Sequence, residues 1–188
     1  MTSPKRDLLI DTALRLFGRH GFHAVGVDRV IEEAGVARMT LYNHFKSKDE
    51  LILAVLRRRD ERFRNWFMRR VERAAPDPRG RPLAVFDALD EWVRGDDFTG
   101  CMFVAAAAEY GGDDPIHRAA GEHKDLMLAY LRDLCAKAGA KNPAGLADGL
   151  NLLAEGAVAM AHVAGHRDAA RTAKAAAEVL LRDAGLQG

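Results

Sequence analysis

Apolar residues recur at helical spacing along the chain. The second half is rich in alanine, and no alternation of apolar and polar residues is long enough to indicate a strand. The pattern therefore predicts an all-α fold. In the first segment, the apolar positions that share one helical face are Leu8, Leu9, Ala13, Leu16 and Phe17.

Breaking and capping residues divide this pattern into nine predicted helices. We expect the side chain of Ser3 to cap the first helix, with Pro4 at the first helical position. Ser47 and Glu50 have the spacing of a capping box, in which each side chain accepts a hydrogen bond from the other residue's backbone amide. The predicted ranges are about 4–21, 27–34, 38–45, 47–75, 82–94, 100–110, 115–139, 143–165 and 169–185, and the last three helices have Asp114, Asn142 and Asp168 as caps.

The segment Pro76–Pro82, PDPRGRP, is the clearest helix breaker in the sequence. Charge differs on its two sides. Residues 1–75 contain 16 Lys and Arg against 10 Asp and Glu, a net of +6, whereas residues 76–188 contain 12 against 17, a net of −5. The first part is therefore suited to a polyanionic partner, and the second part is not.

Composition excludes several classes of protein. With 48% hydrophobic and 29% charged residues, the 188-residue chain can bury a core, which argues against disorder. Two cysteines, Cys101 and Cys135, are too few for a disulfide framework or a four-cysteine zinc site. We see no apolar run of membrane-spanning length, no secretory signal and no catalytic motif. We therefore expect a soluble, cytoplasmic protein that is not an enzyme and has no cofactor, metal site or membrane partner.

Residues 27–45 have the build of a helix-turn-helix. Gly35 supplies the positive φ that a tight turn needs, and small Ala34 lets two helices approach. A helix of this size fits the major groove of DNA, where Arg can pair with guanine, Asn with adenine, and Thr can meet a thymine methyl group. The predicted inner face consists of Val30, Ile31, Val36, Leu41 and Phe45.

The remaining positions of the third helix carry hydrogen-bond donors and planar aromatic side chains, which are candidates for DNA contact. Beyond this helix, two lysines and the amides at the start of helix 4 form a positive corner suited to phosphate. The alternative for Tyr42 is packing over the helix-turn-helix core. We interpret the arginines of residues 57–70 as a solvated helix face that is paired with Asp60, Glu61 and Glu72, and not as a second surface for nucleic acid. The candidate DNA contacts are Arg38, Met39, Thr40, Tyr42, Asn43, His44, Lys46 and Lys48.

The run from Phe17 to Leu56 resembles the DNA-binding domain of the TetR family of transcriptional regulators. The resemblance implies an all-helical homodimer, with helix 3 in the major groove and helix 4 linking to a ligand-binding C-terminal domain whose effector usually releases the operator. It divides the chain into a DNA-binding domain, 1–46, and a ligand-binding and dimerisation domain, 47–188, connected by helix 4. Gly26 and Ala37 depart from the family, which commonly has Thr or Ser there. Both lack a hydroxyl for phosphate, and the missing cap at Ala37 typically costs about 1 kcal/mol.

Predicted helices 8 and 9 carry long faces of Ala and Leu, which we interpret as a dimer interface because helix-turn-helix proteins bind two-fold operators as dimers. The alternative is a core within one chain. Gly149 and Gly156 lower the helix propensity of helix 8, a cost that close approach of another helix would offset. The predicted interface residues are Leu146, Leu150, Leu153, Ala157, Met160, Ala173, Ala177, Leu180 and Leu181.

Large apolar residues of helices 4 to 8 are candidates for a ligand pocket, with tyrosine hydroxyls and His117 or His123 as polar groups. We expect a repressor that binds a palindromic operator in double-stranded DNA and is released by a small apolar or aromatic effector. An activator, or a regulator without an effector, is the alternative. The candidate ligand residues are Phe86, Trp92, Phe98, Met102, Phe103, Tyr110, His117, Met127 and Tyr130.

Overall fold

The computed structural model describes residues 3–186, and over that range it contains nine α-helices, one 3₁₀ turn and no strand. The all-α prediction is confirmed. The helices are α1 Pro4–His20, α2 Val27–Ala34, α3 Arg38–His44, α4 Lys48–Ala74, α5 Arg81–Arg94, α6 Met102–Glu109, α7 Pro115–Ala138, α8 Pro143–Val163 and α9 Ala169–Asp183. The 3₁₀ turn, Pro78–Gly80, lies within the segment that was predicted only as a breaker.

Two of the predicted caps form as expected. Asp114 Oδ1 accepts from the Ile116 amide at 2.7 Å, and Asn142 Oδ1 accepts from the Gly145 amide at 3.1 Å. At the ends, α6 begins two residues later than predicted, since Gly100 has φ +84°, and α8 ends before Gly165, which has φ +69°. Backbone conformations that favour glycine thus set these two boundaries.

Three predicted caps were wrong in their details. Ser3 and Asp168 occupy N-cap positions without a side-chain cap hydrogen bond. The Asp168 carboxylate is paired with Arg94 of α5 instead. In the capping box, Ser47 Oγ accepts from the Glu50 amide at 3.1 Å as predicted, but Glu50 Oε2 accepts from the Lys46 amide at 2.7 Å, one residue before the expected partner.

The chain forms two compact units. The first extends to Arg62 and includes Met102–His123; the second consists of Phe63–Cys101 and the chain from Lys124 onward. Helices α4 and α7 each run through both units. The predicted division at residue 46 concerns function and stays a prediction, since compactness divides the chain elsewhere.

The first unit holds α1, α2 and α3, which pack against one another around a buried apolar core. Its fully buried large side chains include Phe22, Leu41, Phe45 and Leu51. Burying each such side chain contributes about 1.5–3 kcal/mol relative to leaving it in water. This core holds the short helices α2 and α3, which at eight and seven residues are too short to be stable in isolation.

The second unit has its own core, to which α4, α5, α7, α8 and α9 contribute. Helix α9 packs closely on α8 and α5, where small residues such as Ala170 and Ala177 are fully buried. A Cβ added at Gly149 would lie 3.3 Å from Leu180 Cδ1, so this glycine does permit close helix approach, whereas nothing lies within 4 Å of a Cβ added at Gly156. From Ser3 to Leu186, no helix is long and apolar enough to cross a membrane.

Candidate nucleic-acid interface

The turn between α2 and α3 depends on Gly35, which has φ 63° and ψ 35° in the left-handed region. Its amide donates to Glu32 O at 3.1 Å, and the Val36 amide donates to Ile31 O at 3.3 Å. These bonds satisfy carbonyl groups at the end of α2 and turn the chain sharply into α3. The turn therefore fixes the direction in which α3 leaves α2.

The inner face of α2 and α3 is buried largely as predicted. Val30 and Leu41 are fully buried, and Phe45 is buried at the end of α3. Ile31 and Val36 are only half-buried. Three of the five predicted positions are thus buried in the three-helix head formed by α1, α2 and α3. The opposite face of α3 is directed outward.

The outer face of α3 is exposed over both of its turns. Arg38, Met39, Tyr42 and Asn43 are exposed, and the side chains at i and i+4 lie one above the other. Thr40 is half-buried, as is His44, at the edge of this face. The structure thus brings the predicted α3 residues together on one accessible surface that combines guanidinium, phenol and amide groups.

Arg38 has a partner that the sequence did not indicate. Its guanidinium forms an ion pair with the carboxylate of Asp28 on α2, and the two side chains are 60% and 70% exposed. Exposed ion pairs of this kind contribute about 0–1 kcal/mol. Arg38 can therefore exchange Asp28 for a base or a phosphate at little cost. Residues ten positions apart on different helices give no local sequence signal for this pairing.

The predicted phosphate corner is only partly as expected. Lys46 is exposed, and Lys48 is half-buried with Nζ 3.5 Å from the backbone oxygen of His23. The Glu50 amide already donates to Ser47 Oγ, which leaves one fewer donor at the start of α4. The first turn also carries the carboxylates of Asp49 and Glu50. Of the groups predicted for this corner, the two lysines supply its positive charge.

Two arginines of α4, Arg58 and Arg62, pair with acidic residues of α1. Arg58 pairs with Asp7 and Asp11 of α1, and Arg62 pairs with Asp11 at 2.9 Å. The predicted partners were acidic residues on α4 itself. These pairs tie α4 to α1 and support the interpretation of this face as structural.

The candidate ligand residues are distributed over both units. Phe86 is buried in the core of the second unit, and Trp92, Phe98, Met127 and Tyr130 pack against that core. Met102, Phe103, Tyr110 and His117 belong to the first unit. There, the Phe103 ring stacks on His123 with centroids 3.7 Å apart, and His123 Nδ1 lies 2.7 Å from Asp60 Oδ1.

An aromatic cluster in the second unit includes two residues of α4 that sequence reasoning missed, Phe63 and Trp66. The Trp92 ring lies edge-on to Phe63 at 4.8 Å and to Phe98 at 5.1 Å between centroids, and Trp66 lies 5.9 Å from Phe63. Both positions belong to the apolar periodicity of α4, but they stand among arginines, and the helix was interpreted as a solvated charged face. We call these four residues the aromatic cluster.

Tyr130 is the most unusual polar group of the second unit. Its hydroxyl is buried and has no hydrogen-bond partner among residues 3–186. Burial, with a smaller effect of Glu72, raises the pKa of Tyr130 to about 12. A buried hydroxyl without a partner costs about 1–3 kcal/mol, so any group that supplies a partner would be bound more tightly.

The predicted dimer residues divide into two sets. The larger set is buried against the protein's own core, although Ala157 and Ala173 also line the groove between α8 and α9: Leu146, Leu150, Ala157, Ala173, Ala177 and Leu181. Leu153 is half-buried, and Met160 and Leu180 are exposed. These buried residues also pack within one chain, and the assignment of the full set to the interface stays a prediction.

Helices α8 and α9 also present an exposed apolar face, which contains the predicted Met160 and Leu180 together with residues that the sequence interpretation omitted. Leu152 and Val163 are 74% and 83% exposed, and Val179 is also exposed. A groove of about 730 Å³ runs between the two helices, with Leu152, Leu153 and Met160 among its lining residues.

Within the described residues, no three His, Cys, Asp or Glu side chains are grouped in a way that could hold a metal ion.

The helix-turn-helix segment matches a known family model. The model described as "Bacterial regulatory proteins, tetR family" matches residues 9–55. Over 92 residues the chain is 36% identical to the HTH-type transcriptional activator FasR of Mycolicibacterium smegmatis. That match covers 49% of this chain and 42% of FasR, so it spans less than half of that activator.

Solved structures are similar over nearly the whole chain. The crystal structure of a TetR-family transcriptional regulator from Streptomyces coelicolor is 34% identical, with a TM-score of 0.88, and the match covers 96% of this chain and 95% of that one. A second TetR-type regulator, from Streptomyces avermitilis, is 30% identical with a TM-score of 0.81, and the match covers 98% and 100% of the two chains.

Proposed function

This chain belongs to the TetR family of DNA-binding transcriptional regulators, and from that premise we propose that it represses transcription as a homodimer that a small molecule releases from its operator. The observation that carries the proposal is the outer face of α3, which is accessible while the opposite face is buried in the head. A helix supported in this way can enter the major groove without rearrangement.

We assign sequence reading and positioning to different residues. Arg38 and Asn43 have the side chains that pair with guanine and adenine edges, with Met39 and Thr40 beside them for apolar contact. Tyr42, His44, Lys46 and Lys48 supply donors and charge for the phosphate backbone. The first set determines which operator is bound, and the second determines how strongly DNA of any sequence is bound.

We place the dimer interface on the exposed face of α8 and α9. Large exposed side chains, Leu152, Val163 and Val179 with Met160 and Leu180, form an apolar surface beside a groove. A second copy is the occupant that this surface fits, because a two-fold related partner presents the same helices and brings a second head to the other half of a palindromic operator. Regulators of this family typically dimerise, which agrees with this choice.

We propose that the effector is a flat, apolar molecule with one hydrogen-bonding group. The Tyr130 hydroxyl offers a buried partner for one polar atom, and the core against which Tyr130 packs offers an apolar lining that includes Phe67 and Phe86. Ligand sites commonly combine such an apolar lining with a few polar groups. The test is a thermal-shift screen of aromatic compounds with the wild-type protein and with Tyr130→Phe. Compounds that stabilise the wild type should stabilise the variant less.

A second candidate function is activation. FasR, which is 36% identical over the 92 matched residues, is named a transcriptional activator. In vitro transcription from a promoter that contains the selected operator separates the two. Repression by the protein without effector supports the proposal, and stimulation supports activation.

The primary experiment is selection of operator sequences from random duplexes with the purified full chain. Lys46→Ala should weaken binding to all sequences and lower the salt dependence by about one counterion, whereas Lys137→Ala, an exposed lysine of α7 paired with Asp133, should change neither. Asn43→Ala should cost about 1–3 kcal/mol on the operator and relax the preference at one base pair. Failure of the wild type to select any sequence would refute the proposed function.

A further inference from the structure

The last residue of α6, Glu109, holds the loop that connects α1 to α2. Its Oε1 accepts from the Phe22 amide at 2.9 Å, and its Oε2 accepts from the His23 amide at 2.6 Å. Both oxygens of one carboxylate therefore bind two successive backbone donors, and hydrogen bonds to a charged acceptor are about twice as strong as neutral ones. A segment far away in sequence thus fixes the entry to α2.

The same junction has two further contacts and a glycine that leaves room for the carboxylate. His23 Nε2 lies 2.8 Å from Glu109 O, and since a carbonyl can only accept, this ring nitrogen is the donor. The His23 ring also lies against Tyr110, with centroids 4.7 Å apart. Gly21 makes room for the carboxylate, because a Cβ added there would be 2.9 Å from Glu109 Oε1. We call Glu109, Tyr110 and His23 the α6 latch.

The latch is tied in turn to helices that continue into the second unit. His117, in the first turn of α7, lies with Nδ1 2.8 Å from Tyr110 O. Lys48, the first residue of α4, lies with Nζ 3.5 Å from His23 O. The short loop that precedes α2 is therefore held by α6 on one side and by α4 on the other. The turn at Gly35 connects α2 rigidly to α3, so a shift of this loop would move the DNA-reading helix.

We propose that Glu109 is a positioning residue for operator binding: its carboxylate holds the α1–α2 loop so that α3 is oriented for the operator. This inference rests on the proposed function, which it deepens by naming the contact that controls the head. Binding both halves of an operator requires two correctly placed heads, whereas non-specific binding depends on charge alone. Loss of the latch should therefore weaken operator binding more than non-specific binding.

The test compares Glu109→Gln with a matched control, Asp113→Asn, which removes the same charge four residues later from an exposed position in the α6–α7 loop. Gln retains one acceptor oxygen but turns an NH2 group towards the other amide. We expect about 5- to 150-fold weaker binding of the selected operator, the usual range for coupling between two sites, with non-specific affinity unchanged. Asp113→Asn should leave both affinities unchanged.

Two readouts distinguish positioning from other roles. A direct contact with phosphate would change the salt dependence by about one counterion, whereas loss of positioning leaves it unaltered. Hydrogen exchange of the His23 amide should become about tenfold faster in Glu109→Gln, because a charge-assisted bond is lost. His23→Ala, which removes an exposed side chain and leaves the carboxylate bonds, keeps the test available if Glu109→Gln does not fold. It should weaken operator binding in the same direction, by a smaller factor.

The outcomes separate the two proposals. If the wild type selects no operator, the proposed function fails. If the wild type selects an operator and Glu109→Gln binds it equally well or more tightly while the His23 amide exchanges faster, the latch does not position the head and this inference fails. A loss of operator affinity accompanied by an equal loss of non-specific affinity would also overturn it.

Discussion

Gly35 and Gly121 form a matched pair that tests how the helix-turn-helix turn is stabilised. Nothing lies within 4 Å of a Cβ added at either position, so alanine meets no steric obstacle in either case. The backbones differ: Gly35 has φ +63°, whereas Gly121 lies inside α7 and is not among the glycines with positive φ. The Gly→Ala change therefore isolates backbone conformation from packing.

The two changes should act in opposite directions. A left-handed conformation costs a non-glycine residue about 1–2 kcal/mol, so Gly35→Ala should lower the unfolding free energy by that amount. Alanine is favoured over glycine within a helix by about 1 kcal/mol, so Gly121→Ala should raise it. For a chain of this length each kcal/mol shifts Tm by about 2–4 °C. We expect Tm to fall by about 2–8 °C for Gly35→Ala and to rise by about 2–4 °C for Gly121→Ala.

The measurement is thermal unfolding by circular dichroism, with urea unfolding to obtain the free energies. Operator affinity of Gly35→Ala should fall as well, because the strained turn no longer holds α3 in its direction. A Gly35→Ala protein as stable as the wild type would refute the reasoning from φ. So would a Gly121→Ala protein that loses as much stability as Gly35→Ala.

Three further predictions follow from burial. Tyr130→Phe should leave the protein without effector as stable as the wild type or more stable in thermal unfolding, because it removes a buried hydroxyl that lacks a partner; a loss of more than about 1 kcal/mol would contradict this. Leu152→Glu should convert the dimer to a monomer in analytical ultracentrifugation, whereas Leu126→Glu, an exposed leucine of α7, should not; a dimer in both variants would place the interface elsewhere. Burial raises the pKa of Cys135 from an ordinary 9.0 to about 11 and, with nearby Asp49, that of Tyr110 from 10.0 to about 12. These groups ionise more readily in the unfolded chain, so their contribution to the unfolding free energy is constant well below pH 9 and is lost as pH rises through 9 to 12; urea unfolding across that range checks it, and a flat profile between pH 9 and 12 would refute it.

Much of the fold was predictable because it depends on local interactions. Pro, Gly and capping residues act on the few residues next to them, so the sequence indicated nine helices and most of their ends. The positive φ at Gly35 and the burial of Val30, Leu41 and Phe45 follow from spacing within α2 and α3 alone. The exposed face of α3 follows from the same periodicity. The surface that we propose to contact DNA could therefore be predicted from the sequence.

Only the tertiary structure decided which partner each residue has. Asp168 was expected to cap α9, but its carboxylate pairs with Arg94, which is 74 positions away in the sequence and is brought close by the packing of α9 on α5. Helix α8 has apolar residues on more than one face, and periodicity alone does not show which face meets the core. Packing against α5 and α9 buried Leu150 and left Leu152 exposed.

The sequence by itself determined where the helices lie and which side of α3 faces outward, because helix propensity, capping and the 3.6-residue period are local properties of the chain. The tertiary structure alone decided that α6 ends on the α1–α2 loop, where Glu109 meets amides 86 and 87 positions earlier. Backbone amides look the same in every sequence, so no side-chain pattern marks them as partners of a distant carboxylate. Folding brings them together by packing the helices on either side.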